Sequence, residues 1–182
     1  MRMISTPRGM RDYSFEEAMF INAIISKIES VFKRFGFAPI ITRSIENDNV
    51  LNAKNYGEEA GKEIFGIEGE DASLRYDFTM PMARYVAMNK DLQMPFKRYQ
   101  IGTIWRKEEP QLMRTREFIQ ADVDIVGSTK ISSDAEVLGA TAIACDEAGF
   151  ENYVIHLNSR ILLNEILDMF NIDKEKHAAA LR

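Results

Sequence analysis

The sequence predicts an α+β domain, an antiparallel sheet flanked by helices, and three observations carry that expectation. Lys97–Arg106 and Glu117–Val126 read as two strands joined by the charged loop 107–116; such a hairpin pairs antiparallel, which disfavours a doubly wound parallel sheet. Amphipathic helical stretches stand before and after those strands rather than alternating with them one by one. Across 182 residues, 46% hydrophobic and 28% charged, there is no internal repeat, low-complexity linker or composition break. Residues 1–182 are therefore expected to form a single domain with enough chain to bury a core.

Ser14 to Phe35 is the clearest helix. Ser14 and Glu17 have capping-box spacing, and Ala18, Ile21, Ile25, Ile28, Phe32 and Phe35 recur at three- and four-residue intervals. Gly36 supplies the stop. Phe37–Thr42 follows as a short strand. Asn47–Gly61 is polar and weakly periodic, a helix or an irregular excursion. Glu63–Gly66 and Ala72–Arg75 read as short strands about the turn at 68–71. Pro81–Met88 is helical, with proline in the first turn, where its missing donor costs little. Ser133 and Glu136 repeat the capping box and open a helix that runs through Glu147 to Gly149. Tyr153–Leu157 alternates as a strand, which places His156 in the core or at a sheet edge. Arg160–Phe170 is helical again, and Asp173–Arg182 has helix-forming composition.

Composition removes several function classes. No run approaches the ~20 apolar residues that span a membrane, and the N-terminal MRMISTPRGMRDY lacks the apolar core of a signal peptide. The one cysteine, Cys145, lies in an apolar helical pattern and reads as a small buried hydrophobe, so no disulfide framework is expected and a reducing compartment fits. A net charge of −5 argues against a non-specific nucleic-acid binder. Any nucleic-acid contact has to come from a local basic cluster.

On a strand, neighbouring side chains point to opposite faces. Phe118, Gln120, Asp122, Asp124 and Val126 therefore share one face, and Ile119, Ala121, Val123 and Ile125 the other. A face offering an amide and two carboxylates, with Arg106 arriving from the neighbouring strand, reads as a floor for a polar ligand. Gln120 and Asp124 are separated by about 13 Å at roughly 3.3 Å per residue, which suits two ends of a small zwitterion better than shared acid–base work. Asp122 between them also admits a Mg²⁺ reading, since carboxylates without clustered His or Cys favour that ion, though no metal ligand is assigned. Arg106, Arg114 and Arg116, with Lys107, either grip a polyphosphate or form a solvated tip paired with Glu108, Glu109 and Glu117. Gly102, on the Arg106 face, favours the first, because a missing side chain lets a ligand approach the backbone. Asp77 and Thr79 either meet an amine and other polar groups or cap the helix that follows them.

Taken together, TPRGMRDY, LRYDFTMPMARYVAMN, WRKEEPQLMRTREFIQADVDIVG and IHLNSRILLNEIL resemble the catalytic domain of class II aminoacyl-tRNA synthetases. Among these the likeness is greatest to histidyl-tRNA synthetases, in the form typical of archaeal and eukaryotic members, and it runs over essentially the whole chain. It implies a histidine–tRNA ligase: ATP-dependent conversion of L-histidine to histidyl-adenylate, then transfer to tRNA(His). Carried over by position, it implies that Arg106 is the catalytic residue, touching the ATP α-phosphate and the substrate carboxylate, and that Glu108 faces the adenine amino group. Arg114, ahead of Arg116, would contact the ATP phosphates. Asp77, Phe78 and Thr79 would form the segment receiving the α-amino group. Gln120 and Asp124 would contact histidine, the carboxylate accepting an imidazole N–H. ATP as substrate, Mg²⁺, the tRNA(His) acceptor end near the 107–116 loop, a homodimer and a cytoplasmic location follow from the same likeness.

FGFAPIITRSIEN is similar to the first class motif, which builds the dimer interface, with Arg43 where a proline is usual. No stretch matches the third class motif with its ATP-binding arginine, the later histidine-specific segment, or an anticodon-binding domain. The expectation is an incomplete, N-terminal portion of the catalytic core. Two other readings stand beside it: a synthetase-like regulatory subunit that senses histidine without aminoacylating, and a Mg²⁺-dependent phosphoryl enzyme using Asp122 and Asp124.

Overall fold

Ser14 caps the first helix by the reciprocal bonds that its spacing to Glu17 predicts. Its hydroxyl accepts from the Glu17 N–H at 3.2 Å, and the Glu17 carboxylate accepts from the Ser14 N–H at 2.9 Å. Helix α1 then runs Phe15–Arg34 in the computed structural model, which describes residues 4–52, 64–112 and 114–181. Gly36, at φ 76°, turns the chain out of the helix. The strand expected over 37–42 shrinks to β1 (Ala38–Pro39), parallel to Arg98 and Tyr99. Pro39 has no N–H to extend that ladder.

A small second sheet follows. β2 (Ile45–Asn47) pairs antiparallel with β3 (Ala72–Leu74), and the one-turn helix α2 (Asp48–Leu51) stands between them in sequence. The expected strand at 63–66 is reduced to a bridge between Gly66 and Ser73, with Glu63 outside the described residues. Of the stretch 47–61, residues 48–51 are helical and 53–61 lie outside the described residues. Helix α3 (Thr79–Met88) starts two positions before the expected Pro81.

The long hairpin forms as expected, with its first strand one residue earlier, so that Arg106 falls just past the strand. β4 (Phe96–Trp105) and β5 (Glu117–Val126) pair antiparallel without interruption from Phe96–Val126 to Trp105–Glu117. With β1 the sheet is three-stranded and mixed, in the order β1-β4-β5. Its apolar face meets two helices, α1 and α4 (Ile131–Ala148). Val31, Phe32, Phe37, Tyr99, Ala140 and Ala144 form the buried core there, joined by Ile101, Val123 and Ile125. Polar bonds pin the layers: the Tyr99 hydroxyl donates to Glu29 at 2.7 Å, and Lys97 donates to the Phe35 carbonyl at 2.6 Å while pairing with Glu136.

That last pair corrects an expectation. Glu136 does not close a capping box with Ser133; the helix begins at Ile131, and Ser133 shares a hydroxyl contact with Ser128 at 2.7 Å. A lysine reaching from β4 competes better for the carboxylate than the local backbone does. Gly149 ends the helix at φ 97°, as expected. Cys145 is half-buried rather than buried.

The chain divides into two compact units, 1–149 and 150–182. In the second, α5 (Arg160–Met169) and α6 (Lys174–Ala180) form a helical pair. The alternation at 153–157 does not produce a strand, and His156 is exposed rather than in a core or at an edge. Alternation alone makes no strand; a ladder needs a neighbour, and among the described residues none pairs there. His177 is instead the buried histidine, its Nε2 2.9 Å from the Ile172 carbonyl oxygen. Among the described residues no helix is long and apolar enough to cross a membrane.

Candidate active site

The hairpin register decides what the polar face contains. Arg98 stands opposite Asp124, Gln100 opposite Asp122, Gly102 opposite Gln120 and Ile104 opposite Phe118. Arg106 follows on the same face, just past β4. Its Nε donates to the Tyr76 carbonyl at 3.1 Å, its Nη2 reaches Gln120 Oε1 at 3.5 Å, and its guanidinium lies 5.4 Å from the Phe118 ring centre. Gln120 in turn donates to Asp122 at 2.9 Å. An arginine, an amide and a carboxylate are thus linked in one row.

Arg98 was not foreseen. Its side chain is wholly buried and paired with Asp124. Counting back from Arg106 through Gly102 by twos reaches Gln100 and Arg98, so the signal was present in the same alternation. Burial pulls the Arg98 guanidinium down from its ordinary range, opposed by Asp124, Asp122 and Asp77. Burial also pushes the carboxyls of Asp77 and Asp122 up; the Met80 and Thr79 N–H groups and Arg106 oppose this at Asp77, and Gln120 and Arg98 at Asp122. Asp122 accepts from Gln120, and Asp124 pairs with Arg98. Among the described residues no three His, Cys, Asp or Glu side chains are grouped to hold a metal.

The segment before α3 supplies one wall. Phe78, not Asp77 or Thr79, is the N-cap residue; Asp77, one position earlier, accepts from the Met80 N–H at 3.3 Å, and its partial exposure leaves an edge for a ligand. Thr79 is likewise half-buried. Phe78 is corrected: its ring is 0% exposed under the Arg75 guanidinium, 4.7 Å away, so it has no surface for a ligand and serves as a base for its two neighbours. A Cβ at Gly102 would lie 3.5 Å from Arg75 Nη2 and 3.6 Å from Phe78 Cζ, ordinary contact distances, so these two side chains border the space above it.

The loop builds a second pocket of about 270 Å³, lined by Arg106, Glu108, Arg114, Thr115 and Phe118. Arg114 Nε pairs with Glu108 at 2.7 Å and remains exposed. Arg116 turns away: its Nε donates to the Glu108 carbonyl at 2.7 Å, tying the loop to itself. The N-terminal turn clasps the same loop. The Arg116 N–H donates to the Gly9 carbonyl at 2.7 Å, and Arg8 pairs with Glu109 at 2.5 Å. A Cβ at Gly9 would stand 2.6 Å from Pro110 Cγ, at φ 78°, so both space and conformation require glycine there. Of the expected site residues, Arg106, Glu108 and Arg114 meet at one pocket, Arg106 and Gln120 meet on the sheet, and Arg116 and Phe78 serve as supports.

Chemically, the face carries Arg98 and Arg106 against Asp77, Asp122 and Asp124. It can take a small zwitterion lying along the row, with an anion in the adjoining arginine pocket. A sequence profile described as Histidyl-tRNA synthetase matches residues 9–182. The chain belongs to the histidyl-tRNA synthetase family. It is 44% identical over 171 residues to the histidine–tRNA ligase of Korarchaeum cryptofilum, covering 91% of this chain and 40% of that protein. Its fold superposes with TM-score 0.82 on the crystal structure of histidyl-tRNA synthetase from Nostoc sp. PCC 7120, at 29% identity, covering 98% of this chain and 42% of that one. It also resembles an ATP phosphoribosyltransferase regulatory subunit/histidyl-tRNA synthetase from Bacillus halodurans C, with TM-score 0.72 and 25% identity over 84% of this chain and 40% of that one. The α+β fold of the class II synthetase catalytic domain is therefore present in part. The chain spans about 40% of the length of these family members.

Proposed function

We propose that this chain is the N-terminal portion of a class II catalytic core, residues 1–182, that activates L-histidine with ATP and passes it to the acceptor end of tRNA(His). The observation that carries the reading is the row Arg106–Gln120–Asp122 beside the pocket of Arg106, Glu108 and Arg114. Arg106 faces both regions, so one guanidinium can hold the histidine carboxylate and the α-phosphate together. The carboxylate oxygen attacks the α-phosphorus, the α–β bridging bond breaks, and pyrophosphate leaves. Positioning lowers the entropic part of that barrier, and the fixed positive charge stabilises the crowded phosphorus. Asp77 receives the ammonium group, Thr79 supports it, and Gln120 and Asp124 read the ring. Glu108 faces the adenine amino group, and Arg114 swings from Glu108 to the phosphates.

Mg²⁺ bound by the ATP phosphates would neutralise charge on the leaving group. The described residues offer it no cage of their own, so no step is assigned to it. The chain acts in the cytoplasm as a homodimer through the stretch around β1, where Ile41 is 91% and Ile45 50% exposed. Arg43 stands in that stretch where the first class motif usually has a proline.

The experiment is histidine-dependent exchange of pyrophosphate into ATP, measured on this chain and on one extended to its relatives' length. Exchange by the longer chain that Arg106→Ala lowers by about 100-fold or more supports the enzyme. Histidine binding with no exchange by either chain favours instead the regulatory reading, for which the Bacillus halodurans C likeness is the motive.

A further inference from the structure

Adenylation gives no task to Arg98. Its Nε and both Nη atoms are buried without a hydrogen bond of acceptable geometry, and its contact with Asp124 is ionic only. Burying a guanidinium this way is costly, and a well-packed apolar residue is often at least as stabilising at such a place. The charge is therefore poorly explained by stability. The groups that face it are Asp124 and Asp122 from β5 and Asp77 from the segment before α3, with Arg106 beside Asp77. Across the face, Asp124 is the carboxylate whose charge Arg98 offsets directly.

We propose that Arg98 is a positioning residue acting through Asp124, which it holds as a charge-compensated acceptor, so that the site takes the substrate ring as a neutral N–H donor and disfavours a cationic side chain. This rests on the histidine reading given above. An unpaired Asp124 would attract imidazolium, lysine or arginine; paired with Arg98, it retains lone pairs for one N–H while the nearby guanidinium opposes a second cation. Specificity of this kind separates histidine from the basic amino acids, which share its ring or chain donors but carry charge at neutral pH.

The test is calorimetric titration of this chain with L-histidine and with triazolylalanine, whose ring stays neutral, from about pH 5.5 to about pH 8.5, a range that brackets the imidazole pKa of about 6.5. Histidine affinity of the unaltered chain should fall close to tenfold per pH unit below that value, while triazolylalanine affinity stays flat. In Arg98→Met the histidine profile should flatten or invert; in Arg98→Lys, which keeps a cation, it should persist. A purely structural role would lower affinity equally at every pH and leave the profile unchanged. The proposal is overturned if the unaltered chain binds histidine as tightly at the acid end as at the neutral one, or if Arg98→Met retains the original profile. Should Arg98→Met not fold, Arg98→Gln is titrated in its place: a flattened or inverted histidine profile supports the proposal, and the original profile overturns it. Absence of histidine binding to the unaltered chain at every pH would sink the histidine reading itself, a different outcome from a wrong profile.

Discussion

The two faces of the β4–β5 hairpin share one backbone and one register, yet they do different work. On one, Ile101, Val123 and Ile125 pack against α1 and α4 around Phe32 and Tyr99. On the other, Arg98, Gln120, Asp122 and Asp124 are arranged in ionic and hydrogen-bonded contacts that leave part of each acidic group accessible. Apolar burial is non-directional and tolerates some repacking; the polar row depends on which atom meets which. A strand's two-residue period lets stability and recognition be altered separately, and substitutions can show how complete that separation is.

The largest effect should come from the apolar side. Phe32→Ala should lower unfolding free energy by about 3–5 kcal/mol in urea titrations, with ligand affinity of the folded fraction unchanged; a parallel loss of histidine affinity would break the division. On the polar side, Asp124→Ala should weaken histidine binding by roughly 10- to 100-fold, the range for losing a charged hydrogen bond, while ATP binding is spared. Equal loss of both ligands would remove Asp124 from ring recognition. Ser14→Ala should cost about 1 kcal/mol through the lost cap, readable as a lower melting temperature with no change in either ligand.

The smallest stability effect should be at Asp77, and its sign is informative. Burial raises this carboxyl in the folded state, so its favourable contribution is complete below the unfolded value near 3.9 and is lost as pH rises through the folded one. Asp77→Asn should therefore equal the original protein in acid and match or exceed it at neutral pH, while losing ammonium binding. A neutral-pH melting temperature clearly below the original would show that the carboxylate charge supports the fold.

Much of the apolar side was legible because it is periodic. Ile25, Ile28 and Phe32 mark α1, and the Ser14–Glu17 spacing gives its start. The polar row was legible on β5, where Gln120, Asp122 and Asp124 interrupt hydrophobic positions. On β4 the same row was half hidden, since Arg98 and Lys97 look like ordinary surface charge until the register sets one beneath the site and the other beside α4. Local patterns failed where distant partners decide. Glu136 is taken by Lys97, Phe78 is covered by Arg75, and the alternation at 153–157 has no ladder among the described residues. The lysine that takes Glu136 lies 39 positions away, and Arg75, though three positions from Phe78, is held over the ring by the distant Thr42 and Thr103 carbonyls.

The clasp between the N-terminal turn and the arginine loop has a kinetic consequence. Arg8 and Glu109 are 101 positions apart, so their contact closes one of the longest loops in the chain. Closing it costs entropy that other contacts must offset, and chains rich in such non-local pairings fold more slowly. The hairpin can zip locally, from its own strands, well before the turn at Gly9 arrives. The 107–116 loop therefore takes its final shape only once Arg8 and Gly9 have met it.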